Sequence, residues 1–154
     1  MSNATSSNYD LNLLADVAGM AEAAYHSGTE LVSRINTLGF NYVGYSSVSN
    51  AQVCCADRVV DGQKQMVIAF RGSEKSLDDW IGTNFNTWGF NEYYKNVRSS
   101  VEDWLVKAYL GNYENVYITG HSLGGAAAQA ALLDILEDNN SPIWTAISDG
   151  VSDG

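Results

Sequence analysis

Histidine is scarce in this 154-residue chain, which holds only His26 and His121. Cysteine is as rare, and its two residues, Cys54 and Cys55, are adjacent. Adjacent side chains on a strand point to opposite faces, so a bond between these two would be strained and free thiols are expected. With no further cysteine and no suitably spaced histidine pair nearby, metal-ligand arithmetic fails, and no metal is expected. Long apolar runs are absent too: nothing approaches the roughly 18 residues of a membrane-spanning helix. Basic residues are few, eight against eighteen acidic ones, for a net charge of -10. A polyanion would approach against that field, so no nucleic acid partner is expected. The acidity is dispersed along the chain and reads as general solubility. The opening MSNATSSNYD has neither the basic residues nor the apolar core of a secretory signal, which leaves a cytoplasmic or an already processed chain as alternatives.

What is present fits one domain spanning residues 1–154. Leu13, Leu14, Val17, Met20, Ala21, Ala24 and Tyr25 recur at spacings of three and four, the stripe of an amphipathic helix with Ser7 and Asp10 as a capping pair and Gly28 as its stop. From Phe40 to Arg71 the chain turns β-branched and aromatic. AQVCCADRVV and QMVIAF flank Asp61-Gly62, a hairpin signature, and the uninterrupted apolar run Met66–Phe70 suits a strand buried on both faces. Helical spacing resumes through Tyr94, Val97, Val101, Trp104, Leu105 and Ala108. NVYIT then reads as a buried strand, LGGAAAQAALLDILED as an alanine-rich helix able to approach a sheet closely, and PIWTAI as a candidate last strand. Strands alternating with helices predict an α/β domain.

Gly120-His121-Ser122-Leu123-Gly124 fits G-x-S-x-G. Between a strand and a helix this pattern makes a sharp turn that displays the serine oxygen, while the amides opening the helix can hold a developing oxyanion. The spacing alone is weak; the apolar strand before it and the alanine-rich helix after it supply the context that gives it meaning.

In order and spacing, VIAFRGSEKSLDDWIGTNFN, WGFNEYYKNV and VYITGHSLGGAAA resemble the class 3 (fungal-type) triacylglycerol lipases, over roughly residues 8–138. The resemblance implies an α/β-hydrolase-like, mostly parallel sheet flanked by helices, cut short after the nucleophile helix and the candidate strand PIWTAI. It implies Ser122 as nucleophile and the Leu123 amide as one oxyanion donor, with Ser73 supplying the other. Ser76, Leu77, Trp80 and Ile81 match the short amphipathic lid that meets a lipid surface, and Arg71 an arginine that pairs near the lid, with Asp78 and Asp79 as candidate partners. An ester or lipid substrate follows. Two departures stand out: the family's histidine before GF is replaced in Thr87-Trp88-Gly89-Phe90, and no glycine-proline-arginine segment follows Ile147.

A serine hydroxyl needs a general base, which in this family is a histidine held by an aspartate well beyond the elbow. His121, beside the serine, is expected to point into the fold in a packed or hydrogen-bonded role, and His26 to sit satisfied at a helix end remote from the elbow. Asp149 is an acid without a base. The expected activity of these residues alone is weak or nil. Three readings stay open: part of a lipase or carboxylesterase, a hydrolase-like binding module, and a half-enzyme completed by another chain. An exposed apolar sheet edge would also favour a homo-oligomer.

Overall fold

Two tight turns decide the first half of the sheet. Ser49 (φ 54°) lies between β1 (Asn41–Val48) and β2 (Ala51–Val60), and Asp61 (φ 52°) with Gly62 (φ 78°) joins β2 to β3 (Gln63–Phe70). Connections of two residues reach only an antiparallel neighbour, so β1, β2 and β3 form a meander. In the computed structural model, which describes residues 11–72 and 88–137, β4 (Asn115–Gly120) then joins parallel to β3 after a crossing helix, giving the order β1-β2-β3-β4.

The helices are α1 (Leu11–Ala23), α2 (Gly28–Thr37), α3 (Trp88–Leu110) and α4 (Leu123–Glu137). They cover both faces of the sheet, as the period-2 alternation of the central strands requires. Val53, Cys55, Met66, Ile68 and Phe70 point to one side, against Val97 and Val101 of α3 and Ala127 and Ala131 of α4. Cys54, Ala56, Val67 and Ala69 point to the other, against Met20 and Ala23 of α1 and Leu31 and Ile35 of α2. Every residue from Met66 to Phe70 is 0% exposed, so the continuous apolar run does mark a strand covered on both faces.

Four expectations need correction. The described sheet is mixed, with one parallel pairing among three, because the short turns hold the first strands antiparallel. Strand β4 is half-buried rather than buried, since among the described residues it pairs on one side only. Gly28 (φ 58°) opens α2 instead of stopping α1. The stripe on α1 is also shorter than predicted: Met20, Ala21 and Ala23 are buried, whereas Leu14 is 51% exposed. The capping pair Ser7 and Asp10 and the strand at residues 142–147 lie outside the described residues.

Arginine clamps set α1 on this frame. Arg58 of β2 reaches Asp16 at 2.7 Å, donates to Gln65 and lies 4.3 Å over the Phe40 ring. At the α1–α2 junction, Arg34 and His26 each bridge Glu22 and Glu30. Exposed pairs of this kind contribute little singly, about 0.2–1 kcal/mol, but a closed ring of four orients the junction.

Both thiols are free and buried, on opposite faces of β2. Burial pushes Cys54 up to about 12 and raises Cys55 further, where the neighbouring Cys54 and Asp57 add to the effect. A thiol is nucleophilic only as thiolate. Neither cysteine is therefore expected to react with an aromatic disulfide reagent at pH 8 in the folded chain, and both are expected to react in denaturant. Stoichiometric labelling of the native chain would contradict this placement.

Candidate active site

Strand β4 ends at Gly120 and α4 begins at Leu123, so the whole reversal falls on His121 and Ser122. Ser122 takes φ 57°, a left-handed conformation that costs a residue with a Cβ roughly 1–2 kcal/mol. Local hydrogen bonds hold it there: the Gly124 amide donates to the His121 carbonyl at 3.0 Å and the Gly125 amide to the Ser122 carbonyl at 3.0 Å. Ser122 is exposed at the top of this turn. The Leu123 N–H is the first of α4 and belongs to the turn whose amides have no carbonyl within their own helix to meet, at the positive end of the helix dipole.

The two glycines of the motif are required by close approach rather than by backbone angle. A Cβ on Gly120 would stand 2.2 Å from the carbonyl carbon and oxygen of Gly124. One on Gly124 would stand 2.2 Å from the Phe70 carbonyl oxygen. The start of α4 is thus pressed on the end of β3, and alanines further along, Ala127 and Ala131, keep the helix close.

Gly72 completes the contact from the other strand, since its absent Cβ would lie 2.4 Å from the His121 carbonyl oxygen and 2.1 Å from the Tyr25 hydroxyl. The segment leaving β3 therefore runs beside the elbow. On its far side the Tyr93 hydroxyl, from α3, is within 2.7 Å of the Arg71 carbonyl and 2.9 Å of the Gln52 carbonyl, and accepts from the Gln52 amide at 3.1 Å. Burial pushes the Tyr93 phenol up, against the opposing effects of the Gln52 hydrogen bond and the Arg71 charge.

The histidines are both engaged. His121 Nδ1 shares a hydrogen bond of 3.0 Å with the Tyr25 hydroxyl, their rings 6.2 Å apart. It is hydrogen-bonded, yet exposed rather than turned into the fold, because its partner reaches it at the surface end of α1. His26 lies between Glu22 and Glu30. Ser73, the lid residues Ser76, Leu77, Trp80 and Ile81, the aspartates Asp78 and Asp79, and Asp149 lie outside the described residues. Tyr25, Gly72 and Tyr93 are neighbours of the elbow that motif reasoning passed over. Gly72 was visible in FRG and Tyr93 in NEYYKNV, but only as parts of a resemblance.

The strand-turn-helix elbow thus stands beside the carboxyl end of a neighbouring strand. Residues 83–150 match the family model for lipase (class 3). The fold is that of the fungal lipases. A triacylglyceride lipase of Rhizomucor miehei matches with a TM-score of 0.62 at 22% identity, over 86% of this chain and 58% of its own. A lipase of Rhizopus microsporus var. chinensis gives 0.62 at 21%, over 89% and 55%. A triacylglycerol lipase described as having a serine-protease triad at its catalytic centre gives 0.62 at 21%, over 84% and 56%. The chain spans about half the length of these solved lipases. No curated protein sequence matches it. These neighbours share the α/β-hydrolase fold. The described residues hold no cluster of three or more potential metal ligands and no helix long and apolar enough to cross a membrane.

If the glycine contacts set the elbow, Gly120→Ala and Gly124→Ala should each lower stability by about 1–3 kcal/mol, read from the urea midpoint. The double variant should cost less than their sum, because either methyl alone already displaces the same first turn of α4, the one from the end of β4 and the other from the end of β3. Full additivity would show that the glycines act separately.

Proposed function

We propose that this chain carries the nucleophile half of a lipase-type serine hydrolase acting on acylglycerols or related esters. One observation carries the reading: Ser122 is exposed at a left-handed strand-to-helix turn, next to the first amide of α4. In the proposed reaction the Ser122 oxygen attacks the ester carbonyl carbon while a base takes its proton. The oxyanion forms beside the Leu123 amide, with Ser73 as the proposed second donor. Collapse breaks the bond to the alcohol, which leaves with a proton, and water then releases the acid from the acyl-serine. No cofactor enters this scheme.

The base is a group other than the two histidines present, since His121 is tied to Tyr25 and His26 to two glutamates. In this proposal the base and its acid belong to the remainder of such a protein, a reading supported by the likeness to a lipase described as having a serine-protease triad, of which this chain spans 56%. The same engagement of both histidines favours the second reading, a hydrolase-like module that binds lipid or protein without turnover. Residues 76–84, with Ser76, Leu77, Trp80 and Ile81, are proposed as the lid that meets a lipid surface, a part suggested by a fungal lipase-inhibitor complex described as a model for interfacial activation. Homo-oligomer formation through a sheet edge remains part of the proposal, supported by β1 and β4 being paired on one side only among the described residues.

A fluorophosphonate probe tests the central claim. Slow adduct formation on the 154-residue chain, mapped to Ser122 and absent in Ser122→Ala, is expected, with faster labelling once a polypeptide supplying the histidine and aspartate is added. No adduct under either condition would reject the hydrolase reading in favour of the binding module. Light scattering at micromolar concentration should find a dimer or larger species, and a clean monomer would remove the oligomer from the proposal.

A further inference from the structure

We propose that Tyr25 is a positioning residue for Ser122, latching His121 and Gly72 so that the serine keeps its turn. The proposal rests on the hydrolase reading only for its kinetic consequence; the latch itself is a matter of conformation.

Tyr25 lies just past α1, so its ring is not fixed by helical packing of its own. Three contacts place it. Its hydroxyl shares the 3.0 Å bond with His121 Nδ1, and its ring lies tilted at 58° to the imidazole. The same hydroxyl sits where Gly72 has no side chain, 2.1 Å from the position a Cβ would take. The backbone on either side of it is braced by the side-chain ring of Glu22, His26, Glu30 and Arg34, in which Glu22 precedes Tyr25 and His26 follows it. Burial raises the phenol and the Arg71 charge opposes that rise, so the hydroxyl stays protonated at neutral pH.

His121 is consequently held from two directions. Its carbonyl accepts from the Gly124 amide and packs on Gly72, while its ring is tied to Tyr25. Ser122 follows immediately in the strained left-handed conformation, and strain of this kind persists only where the surroundings over-determine it. Removing one restraint on the preceding residue widens the range of serine oxygen positions, and small misplacements of a nucleophile are costly in rate.

The test is Tyr25→Phe, which deletes the hydroxyl and keeps the ring. The expected result is faster hydrogen exchange at the Gly124 and Gly125 amides, about 3–10-fold, matching the loss of one neutral hydrogen bond. The imidazole nitrogen shifts of His121 should move from one fixed tautomer toward those of a free ring. Saturating fluorophosphonate labelling of Ser122 should slow by a similar factor, about 3–10-fold, with the half-saturating probe concentration unchanged. In a His121→Ala background, Tyr25→Phe should add no further change. Unaltered exchange and unaltered imidazole shifts would overturn the latch, whether or not the chain labels. A wild-type chain that never labels would overturn the hydrolase reading, leaving exchange and imidazole shifts to decide the latch.

Discussion

The site depends on how closely the first turn of α4 can approach the end of β3. With hydrogen at Gly120 and Gly124, backbone meets backbone; with a methyl at either place, a carbon would lie 2.2 Å from a carbonyl. Because the helix is drawn in this far, the reversal between β4 and α4 has only two residues, and Ser122 must take a positive φ to complete it. Strain at the serine is thus a consequence of packing around it. The cost, about 1–2 kcal/mol, is offset by the core that the helix closes, where Ala127 and Ala131 lie against the sheet with no exposed surface.

The sheet makes that approach possible by being covered on both sides. β3 contributes Met66, Ile68 and Phe70 to one face and Val67 and Ala69 to the other, so it cannot shift register without exposing its whole apolar set. Its end is then a fixed reference for the elbow. Tyr93 ties the Arg71 carbonyl to the neighbouring strand, and Gly72 lets the chain pass beside His121. α1 and α2 pack on the opposite face, yet the residue after α1 also meets the elbow through Tyr25. Both helical layers therefore converge on one turn.

Local sequence disclosed the parts of this arrangement that have a short period or a fixed spacing. Asp61-Gly62 marked its turn, Met66–Phe70 its doubly covered strand, and the elbow its strand-helix context. α2 escaped because Gly28 reads as the stop of one helix, whereas it opens the next, whose buried side is Leu31 and Ile35. The antiparallel start of the sheet escaped because Ser49-Asn50 lacks the glycine that announces a tight turn, although Ser49 adopts the same positive φ. The tyrosines could not be found by any local rule. Tyr25 meets a residue 96 positions away and Tyr93 one 41 away, and such pairings exist only once the sheet has ordered them.

The separation of shape from reactivity follows from the same geometry. The elbow is held by backbone contacts among β3, β4 and α4 and by the Tyr25 hydroxyl on His121, while Tyr93 fixes the end of β3 beside it, and none of these needs a catalytic base. A base would have to reach Ser122 from the exposed side, because the buried side is filled by Gly124 against Phe70 and by Gly72 against His121. His121 cannot readily supply it: its ring is drawn toward Tyr25 while its own carbonyl is committed to the Gly124 amide. The turn is therefore complete as a conformation before any proton acceptor is added, and an added acceptor would meet a serine whose backbone is already set.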